Sequence, residues 1–373
     1  MTALRDRPEL DEGLSTAELP LPVAEGFEAD EPRLIGGRTV DEKASLFGAL
    51  TASFGLVWLV YLGIFAWSGL LGFIACWWLA FLGLYTLLSS LGNPRPIVVE
   101  RVVAVVVSSG ALLVGVALVS TVLHVFTKGW PALHHLNFYT HDMSGVRPTA
   151  PLSQGGVSHA IVGSGIEIVI AVAISLPLGI GTAVYLTEVG GRLSRIVRTV
   201  VEAMTALPDI LAGLFIYTLL IITLHWERTG VTAAFALVVT IIPIIARSAE
   251  VVLRVVPGGL REASLALGAS QWQTVRRVVL PSARSGLATA LILGVARIAG
   301  ETAPLLIVSG ATTYFNDNPL QQPMNSLPLF IFFAIRSGQQ EFIARGYGAA
   351  ALLLGLVLTL FVITRFLARD KRR

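Results

Sequence analysis

The chain has 373 residues, of which 54% are hydrophobic and only 14% are charged. Soluble globular proteins carry about 25% charged residues, so this composition excludes an ordinary water-soluble enzyme and indicates an all-α, polytopic membrane protein. The net charge of +3 gives no reason to expect nucleic acid as a partner, and the single cysteine, Cys76, excludes a disulfide framework and a CxxC metal site.

The first 46 residues form a polar, acidic segment. They contain eleven acidic and five basic residues, together with four prolines. This composition is typical of a solvated, disordered segment, and the segment lacks the basic start and the apolar core of a signal peptide. We therefore predict that residues 1–45 form a disordered cytoplasmic tail, which serves as a spacer or, alternatively, as a docking segment.

Eight apolar stretches follow, each close to the length of about 20 residues that a helix needs to cross the hydrocarbon core. They are Leu46–Trp67, Leu70–Leu91, Val98–Phe126, Ala160–Leu186, Ile196–Leu224, Val231–Leu253, Gly286–Ser309 and Gly346–Phe366. Because only Ser68 and Gly69 separate the first two, residues 46–92 are predicted to form a transmembrane hairpin. Each stretch is predicted as one span, although Asp209, directly after Pro208, leaves open a broken helix in the fifth.

The basic residues between these stretches are distributed unevenly. If both termini are cytoplasmic, the cytoplasmic loops and the C-terminal tail contain sixteen basic residues and the outer loops contain five. Cytoplasmic loops of membrane proteins are enriched in Lys and Arg, so this orientation is the predicted one. The outer loop Gly310–Arg345 contains an apolar run, Leu327–Ile335, which is too short to span and is predicted to lie in the interface or to re-enter the membrane.

The sequence lacks the common signatures of catalytic, nucleotide and metal sites. It contains no GxxxxGK[ST], GxSxG, HExxH or CxxC pattern, so no catalytic residue, cofactor or resident metal is predicted and the chain is not expected to bind ATP itself. His134, His135, His141 and Asp142 share the outer loop Thr127–His159. Their spacing matches no strong metal site, so solvated histidines are the favoured interpretation.

The segment between the sixth and seventh stretches, residues 257–281, is the most informative. Its pattern predicts a short amphipathic helix that ends at Gly268 in the left-handed conformation, then a second helical piece with a basic face, and then a further helix that Pro281 opens. The residues on one face of the first helix are Leu260, Ala263, Ser264 and Leu267. Small residues on that face would allow another protein to approach the backbone closely.

The same segment resembles the EAA loop of ABC importer permeases. In that pattern Glu-Ala-Ala is followed by Gly and then, after nine intervening residues, by an aliphatic residue, any residue, Leu and Pro. The residues in register here are Glu262, Ala263, Gly268, Val278, Leu280 and Pro281. Ser264 and Val278 are mild departures. The resemblance implies a type I ABC importer permease fold for residues 93–373. It also implies a coupling element that docks on an ATPase subunit, formed by Arg261, Glu262, Ala263, Leu267, Gly268 and Pro281.

The seventh stretch contains a pair of opposite charges. Arg297 lies eleven residues after Gly286, or about 16 Å along a helix, which predicts a position near the middle of the bilayer. Glu301 lies four residues further on, where it would share a helical face with Arg297. An arginine at that depth is costly unless it is partnered, and a guanidinium offers paired donors that match phosphate or sulfate oxygens. Arg297 is therefore predicted to bind an anion, the alternative being a structural ion pair with Glu301.

Prolines occur in the fourth to seventh stretches and in none of the other four. They are Pro177, Pro208, Pro243 and Pro304. Proline allows a helix to kink where the helix lines protein or water, so these four stretches, together with Asp209, are predicted to form the moving, pore-lining core. Near the inner end of the sixth stretch, Arg247 and Glu250 are predicted to pair with each other.

Three runs resemble the PstA-type permease subunits of phosphate ABC importers. They are Gly300–Leu306 shortly after Arg297, Ala206–Phe215, and Asn325–Leu329. The resemblance covers about residues 98–368 and implies that Arg297, Glu301 and Thr302 contact the substrate. Asp209 departs from the pattern, in which a small or hydroxyl residue is common, and residues 1–92 are an addition to the usual six spans.

This resemblance implies a transporter subunit of the bacterial plasma membrane. Its partners would be a PstC-like sister permease, two ATP-binding subunits that carry ATP and Mg, and an extracytoplasmic phosphate-binding protein, with inorganic phosphate passing between the two permeases. The alternatives are a permease for sulfate or molybdate and an ion-coupled secondary transporter, for which paired intramembrane ion ligands are not evident. A membrane-embedded hydrolase is disfavoured because no nucleophile–base pair stands out.

Overall fold

The computed structural model describes residues 40–65 and 67–368, and these residues contain helices but no β-strand. The α-helices are α1 (Val40–Val57), α2 (Leu70–Gly92), α3 (Arg95–Leu133), α4 (Asn137–Thr140), α5 (Ser158–Val184), α6 (Arg192–Ala206), α7 (Asp209–Ile216), α8 (Gly230–Val255), α9 (Gly258–Ala266), α10 (Gln271–Thr274), α11 (Leu280–Ala299), α12 (Ala303–Val308), α13 (Leu327–Arg336) and α14 (Gln340–Ala368). π-Helical turns continue α1, α5, α7 and α10, at Trp58–Ile64, Tyr185–Val189, Tyr217–Thr223 and Val275–Val279. The predicted all-α fold class is confirmed.

Seven helical runs within the described residues are long and apolar enough to cross a membrane. They are Glu42–Ile64, Leu70–Gly92, Arg95–Leu133, Ser158–Val189, Gly230–Val255, Gln271–Ala299 and Gln340–Ile363. An eighth crossing results if the pair Arg192–Ala206 and Asp209–Thr223, which meet at a bend of 104°, is counted as one span. The prediction of about eight spans therefore corresponds to seven helical runs and one bent pair.

The fifth predicted span, Ile196–Leu224, is not a continuous helix. α6 ends at Ala206 and α7 begins at Asp209. Between them Leu207 has extended backbone angles, φ −72° and ψ 136°, which is the conformation that a following proline favours. The prediction of one straight span is wrong here, and the alternative of a broken helix that begins at Asp209 is confirmed.

The start of the seventh predicted span lies earlier than the sequence indicated. Its helical run begins at Gln271, where Ser270 forms a capping box: Ser270 Oγ accepts from Gln273 N at 3.3 Å, and Gln273 Oε1 accepts from Ser270 N at 2.8 Å. Pro281 lies inside the run, directly after the π-helical turn Val275–Val279. α11 nevertheless begins at Leu280 with Pro281 in its first turn, as predicted, although the capping box already starts the helical run at Gln271.

The end of the same span is also displaced. α11 ends at Ala299 with Gly300 as its C-terminal cap, and α12 restarts the chain at Ala303. Arg297 consequently lies in the last turn of a helix rather than in the interior of one. The expectation that Gly286–Ser309 is a single span, which placed Arg297 at its middle, is wrong.

The described chain divides into two compact units within α3, with the first ending at Leu113. In this unit α1 and α2 form the predicted hairpin, and aromatic rings pack between them. Phe54 lies edge-on to Phe73 and Trp77, with ring centroids 5.7 and 5.4 Å away. Tyr85 and Ala49 are fully buried in the same unit. These contacts hold the two apolar helices against each other on either side of the short connection between Ile64 and Leu70.

The predicted acidic tail lies outside the described residues except for its last six, which begin α1 at Val40. Its disorder, and the division into residues 1–45, 46–92 and 93–373, stay predictions.

The second unit is built around α5 and α8. Small residues allow these helices to approach closely: a β-carbon on Gly179 would lie 2.7 Å from Ile245 Cγ2. α8 is the most enclosed of the candidate spans, with 61% of its apolar window buried against 6% for α3. Ala233, Leu237 and Ile241 of α8 form the centre of the largest apolar cluster. The interior of this unit therefore sits on α8, and the functional residues below are arranged around it.

The apolar run Leu327–Ile335 forms α13, which packs against α14 and α5. Leu327, Leu329 and Phe330 are buried, and Leu327 N donates to Ser164 Oγ at 2.7 Å. This helix is thus covered by protein along one side, which explains how a run too short to span can be so apolar.

Candidate functional site

The break between α6 and α7 brings a carboxylate to the end of α11. Asp209 is the first residue of α7, and Arg297 lies in the last turn of α11. Arg297 Nη2 donates to Asp209 Oδ2 at 3.1 Å, although the two residues are 88 apart in sequence. Each side chain has the sign that its helix end stabilises, because acidic groups are favourable at N-termini and basic groups at C-termini.

Glu301 is a second carboxylate on the same arginine. Its Oε1 lies 3.5 Å from Arg297 Nε, so the predicted pair is present. The expectation that Glu301 shares a helical face with Arg297 is wrong, because Glu301 follows the cap residue Gly300 and lies beyond the end of α11. The Arg297 side chain remains 53% exposed despite both contacts, whereas Glu301 is mostly buried.

A cavity of about 340 Å³ adjoins this ion pair. Its lining residues come from α6, the bend, α7, α8 and α11, and they are Met204, Thr205, Leu207, Pro208, Asp209, Ala212, Val239, Thr240, Pro243, Ile244 and Arg297. Arg297 is the one cation in this lining, and Asp209 is the one anion. The cavity is therefore a mainly apolar space with one charged pair at its wall, which is the usual composition of a small-molecule site.

Two threonine hydroxyls in the lining are already committed as donors. Thr205 Oγ1 donates to Val201 O at 2.8 Å, and Thr240 Oγ1 donates to Leu237 O at 2.8 Å. Each hydroxyl has a single proton, so toward a bound molecule both can act only as acceptors. Among the lining side chains, Arg297 is thus the donor available to a ligand.

Close backbone packing fixes the position of α7. A β-carbon on Gly213 would lie 2.7 Å from Pro304 Cα, so α7 touches the backbone of α12 directly. Pro304 and Leu305 are buried at this contact. Since α12 follows Glu301 by two residues, the same packing holds Glu301, Arg297 and Asp209 together.

The predicted pore-lining and substrate residues divide into two groups. Pro208, Asp209, Pro243 and Arg297 line the 340 Å³ cavity. Pro177 lies in α5 and lines a different, apolar cavity beside Trp272, while Pro304 is buried against Gly213. Thr302 caps α12 without a side-chain hydrogen bond, and neither Thr302 nor Glu301 is among the residues that line the 340 Å³ cavity.

The charges near the C-terminal end of α8 pair differently from the prediction. Arg247 Nη1 donates to Glu202 Oε1 at 3.2 Å. Glu250 is buried and accepts from Arg198 at 2.9 Å and from Arg254 at 2.7 Å. The expected Arg247–Glu250 pair is therefore wrong, because α6 lies alongside α8 and offers Arg247 another partner.

The coupling segment has the predicted local structure. α9 spans Gly258–Ala266, and Gly268 follows it with φ +84°, the left-handed conformation expected of a glycine stop. Leu267 is 89% exposed, and Glu262, Ala263 and Leu265 are exposed as well. This short helix thus presents apolar side chains on a free surface, as a docking element requires.

Arg261, by contrast, faces inward. Its guanidinium donates to both carboxylate oxygens of Glu188, at 2.9 to 3.1 Å, and to the carbonyls of Val256 and Leu253, at 2.7 and 2.9 Å. Gln271 Nε2 donates to the backbone carbonyl of Glu188, and Ser264 Oγ lies 2.9 Å from Thr274 Oγ1. Arg261 therefore braces α9 against the end of α5 rather than extending to the exposed face.

Two histidines of the loop Thr127–His159 contact polar groups of their own neighbours. His134 Nδ1 lies 2.9 Å from Trp130 O, and His141 Nδ1 lies 3.0 Å from Thr140 Oγ1. Asp142 accepts from the backbone N–H groups of Ser144 and Phe315. In the part of the chain that the structure describes, no group of three His, Cys, Asp or Glu side chains is placed to hold a metal ion.

The sequence did not predict several of the contacts at these sites. Asp209 was identified, but nothing in the local pattern indicated Arg297 as its partner. Glu188 was not singled out, although it accepts the bidentate contact that holds α9. The capping box at Ser270 and Gln273 did have a signal, a Ser followed three residues later by Gln.

A family model and curated relatives match this chain. Residues 175–373 match the family described as binding-protein-dependent transport system inner membrane component. The phosphate transport system permease protein PstA 1 of Mycobacterium tuberculosis is 38% identical over 67% of this chain and 82% of its own length. The phosphate transport system permease protein PstA of Mycobacterium leprae is 37% identical over 74% of this chain and 92% of its own length. Among solved structures, a chain of the inward-facing MetNI methionine ABC transporter is 24% identical over 58% of this chain and 95% of that chain, with a TM-score of 0.46.

Proposed function

Since the chain belongs to the binding-protein-dependent transport system inner membrane components, and within them to the PstA-type phosphate permeases, we propose that it is the transmembrane permease subunit of an ATP-driven importer of inorganic phosphate. It is a multi-pass membrane protein. Partner subunits would bind ATP and Mg and would hydrolyse the ATP, while this chain would catalyse no reaction of its own.

The observation that carries the proposal is the half-exposed guanidinium at the cavity. Arg297 contacts Asp209 and Glu301 through Nη2 and Nε, and its remaining N–H donors are accessible at a cavity large enough for a tetrahedral oxyanion. A guanidinium presents several donors in one plane and matches two oxygens of a phosphate at once. We infer that Arg297 receives the anion and that Glu301 and Asp209 keep the arginine oriented and its affinity moderate.

The exposed face of α9 supports coupling to a motor subunit. Leu267 and Leu265 are exposed on a helix that is otherwise firmly anchored through Arg261. A rigid element with an apolar free face transmits force when a partner grips it. Closure of two ATP-binding subunits would then push on Glu262–Gly268 and, through the helical run that begins at Gln271, displace the far end where Arg297 lies.

The remaining partners follow from the family. The description of the family names a binding protein and the inner membrane, which supports an extracytoplasmic phosphate-binding protein that delivers the anion at the bacterial plasma membrane. A PstC-like sister permease would supply the other wall of the path. The excess of arginine in the loops 93–101, 192–198 and 247–284 supports cytoplasmic termini.

A second candidate is the same machine for sulfate or molybdate, since the donors of Arg297 fit any tetrahedral oxyanion. An ion-coupled secondary transporter has less support, because it leaves the exposed face of α9 without a role.

The test is reconstitution of this chain with its sister, the two ATP-binding subunits and the binding protein in liposomes. We expect radiolabelled phosphate to accumulate only when ATP and all subunits are present, and the chain alone to transport none. Accumulation by the isolated chain would refute the proposed ATP coupling. Transport of sulfate in place of phosphate by the full complex would identify the second candidate.

A further inference from the structure

The cavity beside Arg297 contains more acceptors than a simple anion site needs. Its side-chain donors come from Arg297 alone, whereas Asp209 and the hydroxyls of Thr205 and Thr240 offer lone pairs. Two carboxylates and one guanidinium give this cluster a net charge of −1 when all three are ionised. A bare dianion placed here would face acceptors without protons to donate and a carboxylate of its own sign.

Oxyanions differ in whether they carry a proton. At neutral pH inorganic phosphate retains at least one P–OH group, so it is both acceptor and donor. Sulfate, of similar size and shape, retains none and can only accept. A carboxylate at the site can therefore accept a hydrogen bond from the P–OH group of phosphate. Sulfate has no such proton, so the carboxylate only repels it.

We propose that Asp209 is a specificity-determining residue that admits an oxyanion beside Arg297 only when the anion carries a proton. The inference rests on the proposed function, and it names the substrate class of that site: protonated tetrahedral oxyanions such as phosphate and arsenate. The sulfate and molybdate importer is then disfavoured by this chain itself and not only by the binding protein upstream.

The geometry gives Asp209 the means for this role. Its Oδ2 accepts from Arg297 Nη2 at 3.1 Å, so an anion that binds the free N–H groups of the guanidinium has oxygens close to this carboxylate. Asp209 is fixed there by the bend at Pro208 and by the contact of Gly213 with Pro304. These backbone contacts hold the Asp209 carboxylate at the wall of the cavity.

The experiment uses phosphorus NMR on the assembled complex in lipid nanodiscs, without the binding protein. Line broadening of inorganic phosphate reports weak binding directly, and added sulfate or arsenate reports competition. On the unmutated complex we expect arsenate to relieve the broadening at least about tenfold more effectively than sulfate, because a site that hydrogen-bonds a ligand OH rejects an analogue without it. This comparison requires no variant.

The matched variants are Asp209→Asn and Glu202→Gln. Asp209→Asn keeps the shape but can donate a hydrogen bond, so sulfate should approach arsenate to within about threefold. Glu202→Gln removes the same charge from α6 at a site outside the cavity lining, where Glu202 pairs with Arg247, and should leave the tenfold gap unchanged.

The outcomes separate this inference from the proposed function. If the complex accumulates phosphate in liposomes but sulfate competes as well as arsenate on the unmutated protein, Asp209 does not set specificity. The same conclusion follows if transport is intact but the phosphate NMR line is not broadened at all. It also follows if Asp209→Asn leaves the difference between arsenate and sulfate unchanged. Failure of phosphate accumulation by the unmutated complex would instead refute the proposed function.

Discussion

Arg261 and Arg297 are both arginines in ion pairs at helix ends, yet their surroundings are opposite. Arg261 is 23% exposed and reaches a carboxylate that is 7% exposed, with two backbone carbonyls completing its contacts. Arg297 is 53% exposed and has one contact at 3.1 Å and one at 3.5 Å. The first guanidinium has its donors engaged, and the second retains donors for another molecule.

The groups that are exposed near the two arginines also differ. Arg261 is paired with Glu188, and apolar side chains near it, Leu265 and Leu267, are exposed. Near Arg297, Pro304 and Leu305 are buried, and the guanidinium itself is half exposed at the cavity. Exposed apolar surface suits a protein partner and an incompletely paired charge suits an anion, so the two regions differ in the kind of ligand that they could bind.

The largest effect is expected from removal of the exposed arginine. Arg297→Ala should reduce phosphate uptake by the reconstituted complex at least about a hundredfold, because the cavity loses its one side-chain donor. Assembly, measured by co-purification of all subunits, should be retained. Arg247→Ala, which breaks an exposed pair with Glu202, is the control and should leave uptake within about twofold. Persistent uptake without Arg297 would make it a structural residue like Arg261.

Removal of the enclosed arginine should act on stability instead. Arg261→Ala leaves the Glu188 carboxylate buried without its partner, which we expect to lower the stability of the detergent-solubilised complex by about 2 kcal/mol. Thermal unfolding measures this change, and Glu188→Ala added to Arg261→Ala should recover part of it. If Arg261→Ala left stability unchanged but abolished ATPase binding, Arg261 would belong to the docking face.

The helix stop at Gly268 offers a finer test of the docking surface. Open space surrounds this glycine, so a side chain there meets no atom and the penalty is purely that of φ +84°. Gly268→Val should cost about 1–3 kcal/mol and weaken co-purification of the ATP-binding subunits, whereas Gly268→Asn, which tolerates this conformation, should largely preserve it. Membrane insertion should be normal in both. Unchanged ATPase binding by Gly268→Val, together with unchanged binding by Glu262→Ala, would argue against docking at α9.

The smallest effect is expected outside both regions. Deletion of residues 1–45 should leave phosphate uptake within about twofold, because the acidic tail is predicted to be a spacer. Uptake normalised to the amount of complex in the membrane measures this. Loss of uptake at normal expression would mean that the tail has a docking role. The tail would then be a third functional region, besides those around Arg261 and Arg297.

Much of the fold could be read from the sequence because hydropathy and turn chemistry are local. The apolar stretches, the hairpin of α1 and α2, and the glycine stop after α9 each follow from residues within about 20 positions of one another. Errors arose where a local signal was weak or outweighed: the apolar composition placed the start of the seventh span at Gly286, but the cap at Ser270 begins its helical run earlier. The bend at Pro208 was only an alternative, since the apolar composition on both sides of it favoured one span.

Composition and local patterns were enough to predict that this chain lies in a membrane, that a short amphipathic helix ends at Gly268, and that one arginine among the apolar helices needs a partner. Only the tertiary structure decided which charges meet. Asp209 joins Arg297 because α7 packs on α12 through Gly213, and Glu188 joins Arg261 because the end of α5 lies beside α9. The partners in these two ion pairs are 88 and 73 residues apart, so the pairs form only because helix packing brings the two helix ends together. Patterns of neighbouring residues do not indicate which helix ends meet.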